Sequence, residues 1–289
     1  MGRALDRPDP RTQGDAGDVD TIRRYYRETA WQYRLVWDTE HLHYGYSDHP
    51  HAPHRQALVR LLEVMADAAH VSPGLIVVDA GCGVGGAARW LATNRGARVL
   101  GYSIVPEQVE EAGRRSREIG DVRFYVADYR DLPLPDESAD IVWALESSCY
   151  SRPKTDFLDE AFRVLRPHGR LIVADFYRGR QPGDASEEAL VRAWEESWSM
   201  PQLQTQDELL DDLTRWGATY VWNRDITPNV LPSARRLYRL GRVFSPLARM
   251  APGIVSRVPI RNIESAVLQW RAFEAGLASY AMTLATRPV

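Results

Sequence analysis

LIVVDAGCGVGG, residues 75–86, joins a short apolar run to a turn rich in glycine. The run Leu75–Asp79 predicts a buried strand, because a continuous apolar segment bounded by a turn fits a strand covered on both faces. Gly81, Gly83 and Gly85 then allow a tight turn and a close approach of the backbone to a ligand. Turns of this kind also join strands to helices without any ligand, so the neighbouring segments decide what this one means.

Strands and helices alternate after this turn. The predicted strands are 75–79, 98–103, 122–126, 141–145, 170–175, 218–226 and 279–286. The predicted helices of the core are 85–93, 106–119 and 156–165. Such alternation with fully apolar strands indicates a parallel sheet covered on both faces. We therefore expect an α/β fold, a Rossmann-like, doubly wound and mostly parallel sheet of seven strands, with a helical N-terminal lid and a helical cap inserted before the last strand.

The remaining segments differ in composition. Residues 1–19 are polar and rich in Gly, Pro and Asp, which predicts a disordered tail. Apolar and aromatic residues recur at helical spacing from Asp20, and a further helix is expected over 55–69. A structureless loop of about fifty residues is improbable in a compact domain, so the stretch after residue 226 is predicted to be helical. The resulting division is a tail 1–19, a lid 20–70, a core 71–226, a cap 227–276 and a last strand 277–289.

Composition restricts the classes of function. The net charge of −3 gives no global attraction for nucleic acid, and no nucleic-acid partner is expected. Cys82 and Cys149, the two cysteines, form neither a disulfide framework nor a zinc spacing and fit a reducing cytoplasm. The N-terminus lacks the apolar core of a signal peptide, and no apolar run approaches the roughly 18 residues of a membrane span. We expect a cytoplasmic protein, and the sequence leaves its oligomeric state open.

Three features near the glycine turn point to a ligand at the carboxyl edge of the sheet. Asp79 directly precedes the turn, the second strand ends at Ser103, and the third strand leads to Asp128. In this order, the segments resemble those of class I S-adenosylmethionine-dependent methyltransferases, from roughly Asp20 to the C-terminus. The first motif of that family, (D/E)xGxGxG, is matched by Asp79, Gly81, Gly83 and Gly85.

The resemblance implies roles for residues at the cofactor, S-adenosyl-L-methionine, whose product is S-adenosyl-L-homocysteine. The glycine turn would hold the methionyl part, and Asp79 would orient its ammonium group indirectly. Asp128 would accept a hydrogen bond from the adenine amino group, and Tyr129 would flank the ring. The residues placed at the cofactor are Asp79, Gly81, Cys82, Gly83, Ser103, Ile104, Gln108, Asp128, Tyr129 and Leu145.

Ser103 departs from the family pattern. Most relatives carry Asp or Glu at this position, which grips the ribose hydroxyls, and a serine hydroxyl lacks that charge assistance. Ser103 therefore keeps an alternative open, a non-methylating relative that binds the cofactor and catalyses a cyclisation in an apolar cavity. A regulatory binding module without chemistry is a third hypothesis, which the ordered series of site motifs disfavours.

Segments outside the core resemble a narrower branch, the tocopherol, sterol and isoprenoid (prenyl diphosphate) methyltransferases. The lid segments 25–37 and 42–48 and the cap resemble theirs, and ALESSCYS, residues 144–151, is similar to the ES-x-x-Y segment of geranyl-diphosphate C-methyltransferases. Glu146 follows the fourth strand directly and is predicted to face the transferred methyl group, where a carboxylate can stabilise a cation or remove a proton. The alternative role for Glu146 is a hydrogen bond to backbone or cofactor at the strand end.

Aromatic residues and a histidine complete the predicted catalytic set. Tyr46 and Tyr150, together with Tyr44, can present aromatic faces to a cation, although each is equally compatible with core packing. His43 belongs to the lid motif. The predicted catalytic residues are Glu146, His43, Tyr46 and Tyr150. Packing is the expected role of Tyr26 and Tyr33, and of at least one member of the group Trp194, Trp198 and Met200.

Neither a metal site nor a membrane span is predicted. His41, His49, His51 and His54 are expected to be exposed loop residues, because proline-interrupted spacing does not converge on a metal. Mg²⁺ is expected only if the substrate is a diphosphate. The arginines of the cap, interleaved with apolar residues, permit peripheral membrane contact beside the ordinary role of a solvated face. We predict a methyltransferase that C- or O-methylates a small, hydrophobic, isoprenoid-, prenylquinol- or polyketide-like molecule.

Overall fold

A computed structural model describes residues 18–249 and 257–289 and shows a seven-stranded sheet. The strands are β1 (Ile76–Ala80), β2 (Arg98–Ser103), β3 (Val122–Val126), β4 (Ala139–Leu145), β5 (Leu165–Arg178), β6 (Tyr220–Asp225) and β7 (Ala278–Thr286). Their order across the sheet is β3-β2-β1-β4-β5-β7-β6. The strands β1 to β5 pair in parallel, and β7 is antiparallel to both β5 and β6.

Nine helices flank the sheet in the described residues. They are α1 (Val19–Val36), α2 (His54–Ala68), α3 (Gly86–Arg95), α4 (Pro106–Arg115), α5 (Lys154–Val164), α6 (Ala185–Ser197), α7 (Gln206–Arg215), α8 (Thr227–Arg249) and α9 (Arg257–Glu274). Apolar clusters lie on both faces of the sheet, one under α2, α3, α6 and the cap and the other under α5 and α7. The predicted doubly wound α/β fold is confirmed, because helices cover both faces of a mostly parallel sheet.

The cap helices α8 and α9 lie between β6 and β7 in the chain, where the sequence predicted a helical insertion. Helix α1 packs on α9, and the hydroxyl of Tyr25 donates a hydrogen bond of 2.6 Å to Oδ1 of Asn262. The lid and the cap therefore meet above the carboxyl edge of the sheet. None of the helices in the described ranges is long and apolar enough to cross a bilayer. Most of the predicted tail, residues 1–17, lies outside the described residues.

Some element bounds differ from those predicted. Strand β5 extends over Leu165–Arg178 instead of 170–175, because β7 pairs along its length as far as Arg178. The predicted helix 106–119 ends at Arg115, and Gly120 belongs to the following turn. Helices α6 and α7 were not predicted. Their apolar stripes are narrow, and each begins at a cap residue, Asp184 or Thr205, whose side chain accepts backbone hydrogen bonds.

Candidate active site

A cavity lies at the carboxyl ends of β1, β2 and β4, beneath α1 and the cap. All ten residues that the sequence placed at the cofactor line it, from Asp79 on β1 to Leu145 on β4. Val36, Leu237 on α8 and Asn262 on α9 line the opposite side. The carboxyl edge of a parallel sheet is where open α/β folds bind ligands, so the cavity lies where the topology predicts a site.

The glycines of the turn serve two different purposes. Gly81, Gly83 and Gly85 all have positive φ, which glycine adopts without strain. A Cβ on Gly81 would lie 2.4 Å from that of Ser147, and one on Gly85 would lie 2.6 Å from the ring of Phe124, so both positions are closed by packing. A Cβ on Gly83 would meet only Leu42, at 3.6 Å. The backbone of Gly83 therefore faces open space in the cavity.

Asp79 is buried at the end of β1, and its Oδ2 has no hydrogen-bond partner in the described residues. Burial raises the pKa of its carboxyl from 3.8 to about 7. A buried carboxylate without a partner is costly, and nearby positive charge or donors would stabilise its ionised form. Asp79 thus offers an unused site for a cationic or donor group of a ligand.

Ser103, at the end of β2, is already hydrogen-bonded within the protein. Its hydroxyl accepts from the N–H of Val105 (3.1 Å) and donates to Oε1 of Gln108 (3.0 Å). The hydroxyl retains only limited capacity for a further hydrogen bond. The amide of Gln108, which also lines the cavity, therefore lies directly beside the hydroxyl that was predicted to bind ribose.

Asp128 is held by a neighbour that the sequence did not single out. Arg130 donates from Nη2 to Oδ2 of Asp128 (2.6 Å) and from Nε to both carboxylate oxygens, and its Nη1 donates to the carbonyl of Arg152. Although burial opposes ionisation, these interactions with Arg130 lower the pKa of Asp128 overall. Asp128 is consequently a fixed, ionised acceptor, while the hydroxyl of Tyr129 donates to the carbonyl of Ser147 (2.8 Å).

Glu146 directly follows β4 in a left-handed backbone conformation, with φ of 51°. A non-glycine residue in this region stores strain, which proteins concentrate at functional sites. Its Oε1 accepts hydrogen bonds from the N–H of Tyr44 (2.7 Å) and from the hydroxyl of Tyr280 (2.9 Å). Burial raises the pKa of Glu146 to about 8 despite these two donors. Oε2 accepts no hydrogen bond from the described residues and remains available to a ligand.

His43 and Tyr44 connect the lid to this carboxylate. Nδ1 of His43 donates to the carbonyl of Tyr44 (2.6 Å), so Nε2 carries the lone pair, and Nε2 has no partner in the described residues. Burial lowers the pKa of His43 to about 3. The ring is therefore neutral near pH 7. Its Nε2 can accept a hydrogen bond, but the ring cannot act as a general acid. The hydroxyl of Tyr44 donates to Oε1 of Gln269 (2.7 Å), which fixes its ring beside Phe176.

Aromatic side chains form most of the wall beyond Glu146. Tyr150 lines the cavity, where its hydroxyl accepts from Tyr26 (3.3 Å) and donates to the carbonyl of Trp198 (3.2 Å). Tyr33 and Met200 line it as well, and Trp194 is fully buried in the core. Tyr26 and Tyr33, which were expected to pack, do pack against the apolar core, and both also border the cavity. The expectation that one member of the Trp194, Trp198 and Met200 group is core is met by Trp194.

Comparison with known proteins agrees with this geometry. The methyltransferase domain family matches residues 78–173. The 2-methyl-6-phytyl-1,4-hydroquinone methyltransferase of Synechocystis sp. is 31% identical over 259 residues, which cover 86% of this chain and 81% of that protein. The chain belongs to the class I S-adenosylmethionine-dependent methyltransferases. It is therefore an enzyme that uses S-adenosyl-L-methionine as the methyl donor.

Solved structures share the fold of this methyltransferase. The [4+2]-cyclase SpnF has a TM-score of 0.75 and 23% identity, and the match covers 95% of this chain and 97% of that chain. Geranyl diphosphate C-methyltransferase from Streptomyces coelicolor A3(2), in complex with Mg²⁺, geranyl diphosphate and S-adenosyl-L-homocysteine, has a TM-score of 0.70 and 21% identity, with 93% and 97% covered. At these identities, the likeness concerns the fold alone.

The residues of the methyltransferase fit its donor. The Oδ2 of Asp79, which has no hydrogen-bond partner in the described residues, can bind an ammonium group. Because Gly83 has no side chain, a ligand can approach its backbone closely. Asp128, just after β3, supplies a fixed hydrogen-bond acceptor elsewhere in the cavity lining. Each of these features is a property of the protein alone, and together they fit a zwitterionic nucleoside ligand.

Two sequence expectations are corrected by the placement of the side chains. Tyr46, predicted to be catalytic, is buried in the apolar core and is absent from the cavity lining, because its N–H donates to the carbonyl of Ala57 (2.8 Å) and holds it against α2; Tyr44 lines the cavity instead. His41 is buried and His54 is half-buried, whereas His49 and His51 are exposed as expected. No group of three metal-ligating side chains occurs among the described residues.

Sequence reasoning missed the partners that come from distant parts of the chain. Tyr280 on β7 and Gln269 on α9 hold Glu146 and Tyr44, and Arg130 holds Asp128. Tyr280 and Gln269 carry no local motif. The spacing Asp128-x-Arg130 was visible as a possible ion pair, and it was the one available signal for these contacts.

Proposed function

We propose that this methyltransferase transfers the methyl group to an uncharged, largely apolar acceptor that bears a hydroxyl group, with Glu146 as the general base. The observation that carries the proposal is the free Oε2 of Glu146 in an aromatic wall, on a carboxyl whose pKa is raised to about 8. A base is most effective when its pKa lies near the working pH.

When bound, S-adenosylmethionine supplies an electrophilic methyl group on a sulfonium sulfur. The residues that we propose to hold it are Asp79 and Gly83 at the methionyl end, Ser103 with Gln108 at the ribose, and Asp128 with Tyr129 at the adenine. These side chains occupy one continuous half of the cavity, along the ends of β1, β2 and β3. This arrangement supports a donor lying across the sheet edge and ending beside Glu146.

Glu146 removes the proton of the acceptor hydroxyl through Oε2, while the donors Tyr44 and Tyr280 hold Oε1. The proton passes to the carboxylate, and the acceptor gains the nucleophilic electron pair that forms the new bond to the methyl carbon. In a phenol, loss of this proton activates both the oxygen and the neighbouring ring carbon. One base in one position therefore supports either O- or C-methylation. In both cases the new bond forms as the bond between the methyl carbon and the sulfonium sulfur breaks, and after C-methylation the ring carbon loses its own proton to water, which restores the aromatic ring.

The charges of the wall favour an uncharged acceptor. Arg130 is the arginine among the described lining residues, and its guanidinium group is already bound to both oxygens of Asp128. Glu40, at the edge of the cavity, is paired with Arg89 and Arg115. The half that surrounds Glu146 thus offers no cation to a diphosphate, whose charge would be repelled by the carboxylate. Mg²⁺ as a companion of a diphosphate stays a prediction tied to that substrate.

The relatives are consistent with a hydroxyl-bearing acceptor. The printed name of the Synechocystis protein describes a methyltransferase of a prenylated hydroquinone, and 27-O-demethylrifamycin SV methyltransferase of Amycolatopsis mediterranei is 39% identical over 153 residues, 56% of its length. A hydroquinone carries two hydroxyl groups, and the second name describes an O-demethylated acceptor. A prenylated hydroquinone is the acceptor with which we would begin.

Replacement of Glu146 by Gln tests the proposal. The amide can still accept from Tyr44 and Tyr280, so fold and cofactor affinity should persist, while kcat for a prenylated hydroquinone should fall roughly 10²-fold or more. The matched control is Glu118→Gln, an exposed glutamate on the surface. A Glu146→Gln enzyme with near-native kcat would show that Glu146 is structural and that proximity alone drives transfer.

A further inference from the structure

Helix α8 presents two opposite faces, and the proposed function uses only one of them. Leu237 lines the cavity, and Ala234 and Gly241 are buried against neighbouring elements. At about 100° per residue, Arg235, Arg239 and Arg242 fall on the far side of the helix from Leu237. We call the exposed side the arginine face, and its members are Arg235, Arg236, Arg239, Arg242 and Val243.

The arginines of this face lack carboxylate partners. None of the four forms an ion pair in the part of the chain that the structure describes; Arg236 donates to the carbonyl of Val36 (3.4 Å), and Arg242 lies 5.7 Å from the ring of Tyr238. The sequence contains no Asp or Glu between Asp225 and Glu264. Elsewhere arginines such as Arg178 and Arg163 are bound by two carboxylates each. Positive charge is therefore concentrated on a protein whose net charge is −3.

Exposed apolar side chains adjoin the arginine face. Val243, on the arginine face itself, is 61% exposed. The contact of Arg236 with Val36 places the C-terminal end of α1 at the edge of this face. There, Leu35 is 74% exposed and Trp31, one turn earlier, is 50% exposed. Large apolar side chains seldom occur together on a solvated surface without a partner.

We propose that the arginine face, with Val243 on it and Trp31 and Leu35 at its margin, binds the surface of an anionic lipid bilayer. Arginines interleaved with aromatic and aliphatic side chains are the composition of interfacial helices, in which basic groups meet lipid phosphates and apolar groups enter the acyl boundary. The interaction goes beyond methyl transfer and does not depend on the role of Glu146. It would bring the cavity, bordered by the other side of α8 and by Val36, next to the phase in which apolar acceptors dissolve.

The apolar component distinguishes a bilayer from an acidic protein. A purely acidic partner would contact the four guanidinium groups and would leave the exposed apolar side chains of Trp31, Leu35 and Val243 without a partner. A bilayer uses both sets of side chains. Binding should therefore weaken when either set is changed, and it should weaken with salt, because exposed charges are screened within about 10 Å at 0.1 M ionic strength.

Sedimentation of the full chain with phosphatidylcholine vesicles, with and without phosphatidylglycerol, tests the inference. We expect binding to the phosphatidylglycerol vesicles that weakens at least tenfold in Arg235→Gln/Arg239→Gln/Arg242→Gln. The matched control, Arg114→Gln/Arg117→Gln/Arg123→Gln, changes three exposed arginines on another part of the surface and should bind like the native protein. A second variant, Trp31→Ser/Leu35→Ser, should also bind less at equal net charge.

The other outcomes would overturn the inference. Failure to bind anionic vesicles, equal loss in the two triple variants, or full binding by Trp31→Ser/Leu35→Ser would each contradict a bilayer surface, the last in favour of an acidic protein. Affinity for S-adenosylhomocysteine shows that every variant is folded, since none of the changed residues lines the cavity. Failure of Glu146→Gln to impair catalysis would leave this result untouched, so the two proposals are tested separately.

Discussion

Asp79 is a buried acid whose second oxygen has no partner in the described protein, and its pKa is raised to about 7. Between pH 4 and 7 the folded, ligand-free protein holds a proton that the unfolded chain, at 3.8, releases. The free energy of unfolding should therefore fall as pH rises through this window and level off above it. An ammonium group of the donor reverses this preference, because it favours the carboxylate.

We predict that S-adenosylhomocysteine binding near pH 6 releases a proton from Asp79. Affinity should rise with pH by at most about tenfold per unit and level off above pH 7. Calorimetry in buffers of different ionisation enthalpy measures the released proton. In Asp79→Asn this release should vanish, and equal proton release by native and variant proteins would assign the proton to another group.

Tyr280 is a positioning residue for Glu146, because its hydroxyl donates to Oε1 and helps to keep the pKa as low as about 8. We predict that Tyr280→Phe raises the pKa of Glu146 and moves the rising limb of kcat/KM upward by about half to one pH unit, the equivalent of one hydrogen bond. The pH–rate profile measures this shift. A loss of activity without movement of the limb would show that the hydroxyl of Tyr280 acts otherwise than through the pKa of Glu146.

The residues that we propose to hold the methyl donor could be predicted from sequence because they lie within a few positions of a strand end. Asp79, Ser103 and Asp128 each follow an apolar run that can be recognised locally. Tyr280, Gln269 and Asn262 could not, because their contacts join segments more than a hundred residues apart. Tyr46 was predicted from the motif alone, and its contact with Ala57 on α2, which buries it, was not visible in the local sequence.

At the scale of elements, arginine–glutamate pairs fasten helix α1 and the following loop to α4. Glu111, buried on α4, binds both Arg34 of α1 and Arg115, and Arg115 also binds Glu40. Arg23 donates to the carbonyl of Ile104 (2.7 Å), beside the end of β2. Since Ile104 lines the cavity next to Ser103, these contacts hold the lid over the part of the cavity where we propose that the methyl donor binds.

We predict that Glu111→Gln speeds the release of S-adenosylhomocysteine about fivefold, the equivalent of about 1 kcal/mol of partly buried ion pairing. Stopped-flow displacement measures the dissociation rate. Glu110→Gln, the exposed neighbour on the same helix, is the control and should release the product at the native rate. Equal rates for the two variants would show that α1 does not limit release.

Elements of strong periodicity could be predicted, and elements defined by caps could not. The first helix and the strands of the core carry apolar runs, and β3 was predicted at its observed bounds, Val122–Val126. Helices α6 and α7 were missed because charged residues dominate them and tertiary burial of Trp194 and Leu213 stabilises them. Such helices depend on what they pack against, which a local pattern does not contain.

At the scale of the whole molecule, β7 lies inside the sheet, between β5 and β6. Met282 and Leu284 on this strand bury side chains worth about 1.5–3 kcal/mol each, against a total stability of roughly 5–15 kcal/mol. We predict that a chain ending at Gly276 loses cooperative thermal unfolding, whereas one lacking only Pro288 and Val289 retains it. Circular dichroism on heating measures the difference, and a folded chain ending at Gly276 would contradict it.

The two halves of the cavity are built from different stretches of the chain, and this division bears on how acceptor choice can change. The segment shared with the methyltransferase domain family, residues 78–173, contains the proposed donor contacts and Glu146. Leu237, Asn262 and Ala266, which border the other half, lie outside it. The donor wall must fit one invariant molecule, whereas the cap only has to fit its own acceptor. Remodelling 237–266 can therefore change acceptor specificity with the reactive centre left as it is, although Tyr33, Tyr150 and Met200 border the same space.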